Sequence, residues 1–332
     1  MAPARTMTAD ETTNMTLQKQ VPSRRRVAAA LGWVGLAAAG ATWPRVARAQ
    51  AVPWSTGTNK PEHPVPPDTC DCHHHIYDRR YPAHPSSTLL PADALPDDYR
   101  KFQERIGNRR HVVVQPSTYG TDNRLLVDAL GALGPSARGV AVVDAKVADD
   151  ELMRLHTAGV RGVRFNLSFL VGVTPEMMEP VARRIGPLGW HLVVNGTADK
   201  LLAERETLLR LPVPLLIDHM GQVPQPEGVK HPGFALLKEL LANGRCWIKL
   251  SGAYLHSRTG PPGYGDAGIV AHALIDLAPD RMVWGSDWPH PTKKADEKPD
   301  DAQLLDLIVE WAPTDAVRRR ILVDNPARLY GY

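Results

Sequence analysis

From residue 69 onward, short apolar runs alternate along this chain with stretches whose apolar positions repeat at helical spacing. Eight runs read as strand cores: 69–76, 111–115, 139–143, 162–165, 191–194, 214–217, 246–250 and 282–284. Helical patterns fill the gaps at 122–133, 149–158, 175–185, 198–209, 232–242 and 267–277, and 301–311 closes the series. Strands alternating with helices predict βα units and a parallel sheet. Eight such units favour an α/β fold of the closed (β/α)8 TIM-barrel type over a doubly wound open sheet. The segment 79–105 is the least regular, and its many prolines predict a loop over the barrel mouth.

Composition narrows the picture. Of 332 residues, 43% are hydrophobic and 23% charged, enough for a full core and unlike a disordered chain or one embedded in a membrane. Lys and Arg nearly balance Asp and Glu, giving a net charge of +3, which offers nothing for nucleic acid to bind. Cys70, Cys72 and Cys246 are too few for a disulfide framework and read as packing residues. Cys70 and Cys72 fall on one face of a strand, where the geometry for a bond between them is poor.

The beginning of the chain reads differently. Ser23-Arg24-Arg25-Arg26 precedes an apolar stretch over 27–41, and Ala47-Arg48-Ala49 offers a small-x-small cleavage pattern before Gln50. Residues 1–49 resemble a twin-arginine export signal, with the periplasm as destination and the cytoplasm as the alternative. A membrane anchor is the other reading, against which the run falls short of the roughly 20 residues needed to span. A Pro-rich linker over 50–68 then leads into a barrel over 69–332.

In a barrel of this type, chemistry sits where strands end. Asp71-Cys72-His73-His74-His75 ends the first strand, and strand alternation puts His73 and His75 on one face with His74 turned away. Two such imidazoles can reach one cation or one substrate, or form a buried hydrogen-bonded pair. Other strand ends supply Arg164 and Asn166, Asn195, Asp218-His219-Met220-Gly221, Lys249 and Ser251, and Gly285-Ser286-Asp287-Trp288-Pro289-His290. Asp287 suits a metal ligand and general base, a carboxylate beside activated water, with loop ordering as the plain alternative.

Asp-x-His-x-His on the first strand, Asp-His-Met-Gly on the sixth and Trp-Gly-Ser-Asp-Trp-Pro-His on the eighth resemble the amidohydrolase superfamily. The similarity is to its branch of 2-pyrone-4,6-dicarboxylate lactonases. It runs from Asp71 through Arg161-Gly162-Val163-Arg164-Phe165-Asn166 to Asp324-Asn325-Pro326-Ala327-Arg328-Leu329-Tyr330. The resemblance implies a distorted barrel that hydrolyses a small ester, amide or lactone, with His73, His75, His219 and Asp287 at the centre. No counterpart exists for the fourth-strand lysine of binuclear relatives, and Asn195 stands where mononuclear relatives carry a fifth-strand histidine. One zinc ion on His73, His75 and Asp287, or catalysis without metal, are the two implied alternatives.

The resemblance also aligns Arg164 and Ser117 with positions that hold an acidic substrate. Phe169, Leu170, Gln222 and Leu255 stand near places where further arginines are expected, which argues against the dicarboxylate pyrone itself. Lys249, Asn195, Tyr254, His256 and Arg258 then become candidates for a differently placed anion, although Arg164 also suits a structural ion pair and Tyr254, His256 and Arg258 ordinary loop positions. The expected function is hydrolysis of a small anionic lactone from aromatic breakdown, such as 4-sulfomuconolactone. Decarboxylation or lactone isomerisation on the same barrel is the second reading, and a noncatalytic periplasmic binding protein the third. Partners are expected to be the lactone alone, with no nucleic acid and no membrane span in the mature chain; a homo-oligomer stays open.

Overall fold

The computed structural model describes residues 51–332, and the expected leader lies outside the described residues. Eight strands form one sheet in sequence order: β1 (Cys70–His74), β2 (Arg110–Val114), β3 (Ala137–Ala141), β4 (Val160–Asn166), β5 (His191–Asn195), β6 (Leu215–Ile217), β7 (Cys246–Leu250) and β8 (Met282–Trp284). All seven neighbouring pairs are parallel. The eighth seam, between β8 and β1, is narrow. It consists of a single bridge from His74 to Trp288, with the His75 N–H donating to the Trp288 carbonyl and the Asp287 N–H to the His73 carbonyl, both at 2.8 Å. The result is a distorted (β/α)8 barrel.

Helices cover the outside: α1 (Pro96–Ile106), α2 (Arg124–Leu133), α3 (Asp149–Thr157), α4 (Met178–Ile185), α5 (Ala198–Ala203), α6 (Arg205–Arg210), α7 (Pro232–Ala242), α8 (Gly265–Leu277), α9 (Asp301–Trp311), α10 (Asp315–Arg319) and α11 (Asn325–Tyr330). Beyond the expected series, which closed at 301–311, α10 and α11 follow, and two expected segments differ. The expected helix over 198–209 breaks at Glu204 into α5 and α6. The expected mouth loop over 79–105 ends in α1, because Pro96 takes the first helical position, where its missing N–H costs nothing. Asp97 and Asp98 complement the positive end of the helix, Asp98 accepts from the Leu95 N–H, and Gly107 closes the helix in the left-handed region. Buried Tyr99 docks this helix on His74 of β1, and Phe102 packs against Trp288. No described helix is long and apolar enough to cross a membrane.

Strand alternation sorts the side chains. Val113, Val163, Phe165, Leu192, Val194, Ile217, Ile248 and Leu250 join the core shared with the helices. Cys70, Cys72, Val112, Val114, Val140, Val193, Leu216, Trp247 and Val283 fill the barrel interior, with Tyr330 packed against them. The Cys70 and Cys72 sulfurs stand 3.7 Å apart as free thiols. In β1 the pairing with β2 slips between Asp71 and His74, where three steps on β1 match two on β2. This bulge resets the alternation, so His73 and His75 face inward above the inward Cys70 and Cys72. His74 faces out, stacked on Tyr99 at 3.5 Å and 2.9 Å from His111 through Nε2 and Nδ1.

Residues 51–69 carry no helix or strand and lie along the barrel flank. The Trp288 indole donates to the Pro53 carbonyl at 2.8 Å, and Arg105 donates to the carbonyls of Thr56 and Asn59.

His191 opens β5 at the end of the barrel remote from the mouth, edge-on to Tyr330 at 5.0 Å, and neither ring nitrogen has a partner among the described residues. Burial pushes its pKa down to about 3. A histidine that stays neutral when folded but charges when unfolded withdraws stability as pH falls below the unfolded value of about 6.5. The loss is complete near pH 3. His191→Leu is therefore expected to raise stability by roughly 1–3 kcal/mol at pH 7, and by more at pH 5. Urea denaturation at the two pH values checks both signs.

Candidate active site

At the carboxyl ends of the strands, an open pocket of about 570 Å³ is lined by His75, Tyr77, Leu89, Ser117, Arg164, Asn166, Phe169, Asn195, His219, Gln222, Leu255 and Asp287 among others. Asp287 and three imidazoles meet at its base. Asp287 Oδ1 stands 3.4 Å from His73 Nε2, 3.6 Å from His75 Nε2 and 3.9 Å from His219 Nε2. Asp287 holds a left-handed backbone, φ 64°, which turns its side chain over the end of β1. Gly285 permits the approach: a Cβ there would lie 2.6 Å from that of His73.

Each imidazole has a defined second contact. His75 Nδ1 donates to the Val114 carbonyl at 2.8 Å, which leaves Nε2 a bare lone pair. His219 Nδ1 meets the Ser251 hydroxyl at 2.8 Å. His73 Nδ1 stands 2.9 Å from the Lys249 ammonium and 3.4 Å from Asp218. His73 Nε2 and His75 Nε2 face each other at 3.1 Å. Two facing ring nitrogens must share a proton or a cation. A proton fits: Lys249 donates to His73 Nδ1, and His73 Nε2–H donates to His75. A cation fits as well, since a nitrogen of His73, a nitrogen of His219 and an Asp287 oxygen lie within 4.8 Å of one another, a spacing that a small four-coordinate ion spans.

Charge is balanced beneath this centre by Asp218, which accepts from Lys249 Nζ at 2.8 Å and Arg164 Nε at 2.9 Å. Burial would raise the Asp218 pKa, but Lys249, His73 and Arg164 outweigh it and hold the carboxyl well below its usual range. Burial, then the Lys249 charge, keeps His73 neutral far below its usual pKa. Burial works against ionised Asp287, yet the imidazoles of His219, His75 and His73 around it hold its carboxyl well below the usual range.

The residues expected from sequence fall into two groups. His75, His219, Asp287, Arg164, Ser117 and Asn195 line the pocket, and His73 meets His219 and Asp287 from just beneath it. Three others do not reach it. Lys249 is fully buried at the level of Val283, a layer below, and its ammonium is spent on His73 and Asp218 rather than on substrate. Tyr254 donates to Asp287 Oδ2 at 2.5 Å from behind. His256 stands one residue removed, against Gln222 at 3.2 Å. Gln222 itself begins a chain of amides along the wall, donating to Asn195 at 2.7 Å, which donates to Asn166 at 2.7 Å, which donates to Ser117 at 2.9 Å. Phe169, Gln222 and Leu255 occupy the places where arginines were expected, leaving Arg164 as the one lysine or arginine on the pocket wall among the described residues.

Sequence reasoning assigned no role to Asp71 or Asp301. Asp71 is wholly buried and accepts from the backbone N–H groups of His73 and Ser286, at 3.0 and 2.9 Å, and from the hydroxyls of Ser286 and Tyr99, at 2.6 and 3.0 Å. Burial pushes its pKa up to about 6 in spite of those donors.

The sequence profile of the amidohydrolase family matches residues 70–332. The chain belongs to the amidohydrolase family. Within it, the chain is 40% identical over 290 residues to a 2-pyrone-4,6-dicarboxylate hydrolase of Comamonas testosteroni, covering 83% of this chain and 94% of that one. It is 36% identical over 273 residues to a 4-sulfomuconolactone hydrolase of Rhizobium radiobacter, covering 80% and 91%. An apo crystal structure of an Agrobacterium tumefaciens protein superposes with a TM-score of 0.77 at 29% identity, covering 84% and 98%. This amidohydrolase thus has the barrel of its family, with His73, His75, His219 and Asp287 meeting at the mouth.

Asp71→Ala strips a buried acceptor from two backbone N–H groups at the ends of β1 and β8. It is expected to cost roughly 2–5 kcal/mol, read as a lower urea midpoint with unchanged slope.

Proposed function

We propose that this amidohydrolase opens a small lactone bearing one anionic group, by attack of water on the lactone carbonyl. The observation that carries the reading is Asp287 Oδ1 ringed by His73, His75 and His219 at the floor of a pocket whose wall holds a single guanidinium, Arg164. The relatives that hydrolyse pyrone and sulfomuconolactone rings support it. Among such substrates a muconolactone carrying one carboxylate or sulfonate, such as 4-sulfomuconolactone, suits a wall with one cation better than a dicarboxylate does.

Arg164, held through Nε by Asp218, keeps its remaining N–H groups for the substrate anion. Asp287 Oδ1 accepts the proton of the attacking water. A carboxylate this acidic is a weak base, so the proton moves as the carbon–oxygen bond forms. With His219 Nδ1 accepting from the Ser251 hydroxyl, the His219 Nε2–H is left to donate to the carbonyl oxygen as it becomes an oxyanion. A ring-opened enol lactone leaves as a stabilised enolate and asks little of an acid. The histidine and carboxylate donors of His73, His219 and Asp287, with His75 beside them, suit one zinc ion, which when bound would polarise the carbonyl and acidify water.

Asp287→Asn is expected to lower kcat by at least roughly 10²-fold, with the thermal midpoint little changed. Steady-state assays on a panel of carboxylated and sulfonated lactones, following acid release, measure it; near-normal turnover in the variant rejects the mechanism. Arg164→Met should raise KM for anionic lactones by roughly 10–100-fold while sparing neutral ones. Metal analysis of the purified protein, with and without chelator, tests zinc.

The leader supports an exported protein, its arginines ahead of a mildly apolar run and a small-x-small site at Ala47-Arg48-Ala49. Replacing Arg24 and Arg25 by Lys is expected to leave the protein, followed by fractionation, in the cytoplasm; periplasmic protein in undiminished amount would reject this destination.

A further inference from the structure

Behind Asp287 lies a second row of buried polar groups that the hydrolytic scheme does not use. Tyr254 from the loop after β7 donates its phenol proton to Asp287 Oδ2 at 2.5 Å. His290 Nδ1 stands 3.0 Å from that phenol oxygen, its ring edge-on to the phenol ring at 84°. His290 Nε2 stands 3.2 Å from Asp301 Oδ2. His290 and Asp301 are both fully buried, and Asp301 opens α9, where the helix end favours negative charge. The turn from Asp287 to His290 is closed by the His290 N–H on the Asp287 carbonyl at 2.7 Å, with both residues in the left-handed region. Lys298 pins the same turn through the carbonyls of Pro289 and His290, at 2.9 and 2.7 Å.

Counting protons fixes how this row works. An ionised carboxylate only accepts, so the single phenol proton of Tyr254 belongs to Asp287. The phenol oxygen can then only accept from His290, so Nδ1 carries a proton. Toward Asp301, Nε2 either donates to a carboxylate or accepts from a carboxylic acid. In both arrangements Tyr254 is barred from turning its proton away from Asp287. The other oxygen of Asp301 has no partner among the described residues, so His290 is what compensates this buried group.

We propose that His290 and Asp301 are positioning residues that act through Tyr254: they hold the phenol as a permanent donor to Asp287 Oδ2, leaving Oδ1 as the basic atom aimed among His73, His75 and His219. The kinetic part of the proposal rests on lactone hydrolysis as the reaction; the proton placement does not.

The experiment has two arms on the full-length protein. In the first, Tyr254→Phe, His290→Leu, His290→Asn and the Tyr254→Phe/His290→Leu double variant are assayed on the lactone the wild type turns over, with thermal melts as the folding control. Loss of a hydrogen bond to a charged group predicts a roughly 10–100-fold fall in kcat for Tyr254→Phe and His290→Leu, with KM within about threefold. His290→Asn, which keeps a side-chain N–H, should recover a measurable part. The double variant should be no worse than Tyr254→Phe alone, since the two changes cut one chain. In the second arm, ¹⁵N imidazole spectra of wild type and Tyr254→Phe read the His290 nitrogens without any substrate. A protonated Nδ1 whose resonance moves on loss of the phenol supports the chain. Unchanged kcat in His290→Leu, additive losses in the double variant, or an unprotonated Nδ1 overturns it. Absence of turnover on every lactone in the wild type would reject the proposed reaction while the spectra still decide the chain.

Discussion

The structure hangs on a buried carboxylate at the place where the barrel closes. Asp71 spans the first and last strands, tying the Ser286 backbone and hydroxyl to the His73 backbone while α1 reaches in through Tyr99. Without that clasp the β8–β1 seam is a single bridge with two flanking hydrogen bonds. His73 and His75 lie on one side of the seam and Asp287 on the other, so the clasp sets the separations among them. Burial raises the Asp71 pKa, which shows that the carboxylate is kept there at an electrostatic cost.

Around this clasp, charge is arranged in layers. Asp218, Lys249 and Arg164 form a buried cluster in which one carboxylate meets two cations, and burial together with the Lys249 charge keeps His73 above it neutral. Only Arg164 also reaches the pocket wall. Along one side of the wall Gln222, Asn195, Asn166 and Ser117 are bonded in a row, which stiffens that neutral side beside the Arg164 guanidinium. A ligand with one anion meets this pattern; a second anion would find no further lysine or arginine on the wall among the described residues.

Much of this was written in the periodicity. The eight apolar runs became the eight strands because each is short and flanked by helical pattern, and alternation correctly turned His74 away from His73 and His75. The bulge in β1, which brings those two histidines to the same side as Cys70 and Cys72, leaves no periodic trace. Parity shows which way a side chain faces but not how deep it sits, and so Lys249 faces inward yet ends a layer beneath the pocket. Loop residues have no period at all, which is why Tyr254 and His256 could be proposed for the substrate and why Asp301, distant in sequence from Tyr254, carried no signal. The start of α1 was masked by a proline that elsewhere in its segment does mark loop.

The clasp joins residues separated by 215 positions along the chain. Contacts of that span are the slowest to find each other, since the entropy of closing the loop is spent before they form. The βα units can each pair with their neighbours early, while the meeting of the two outermost strands waits for all of them. The catalytic centre straddles that last meeting. During refolding, then, the amidohydrolase would regain its secondary structure well before it regains a working site, and partly folded molecules would be helical, compact and inert.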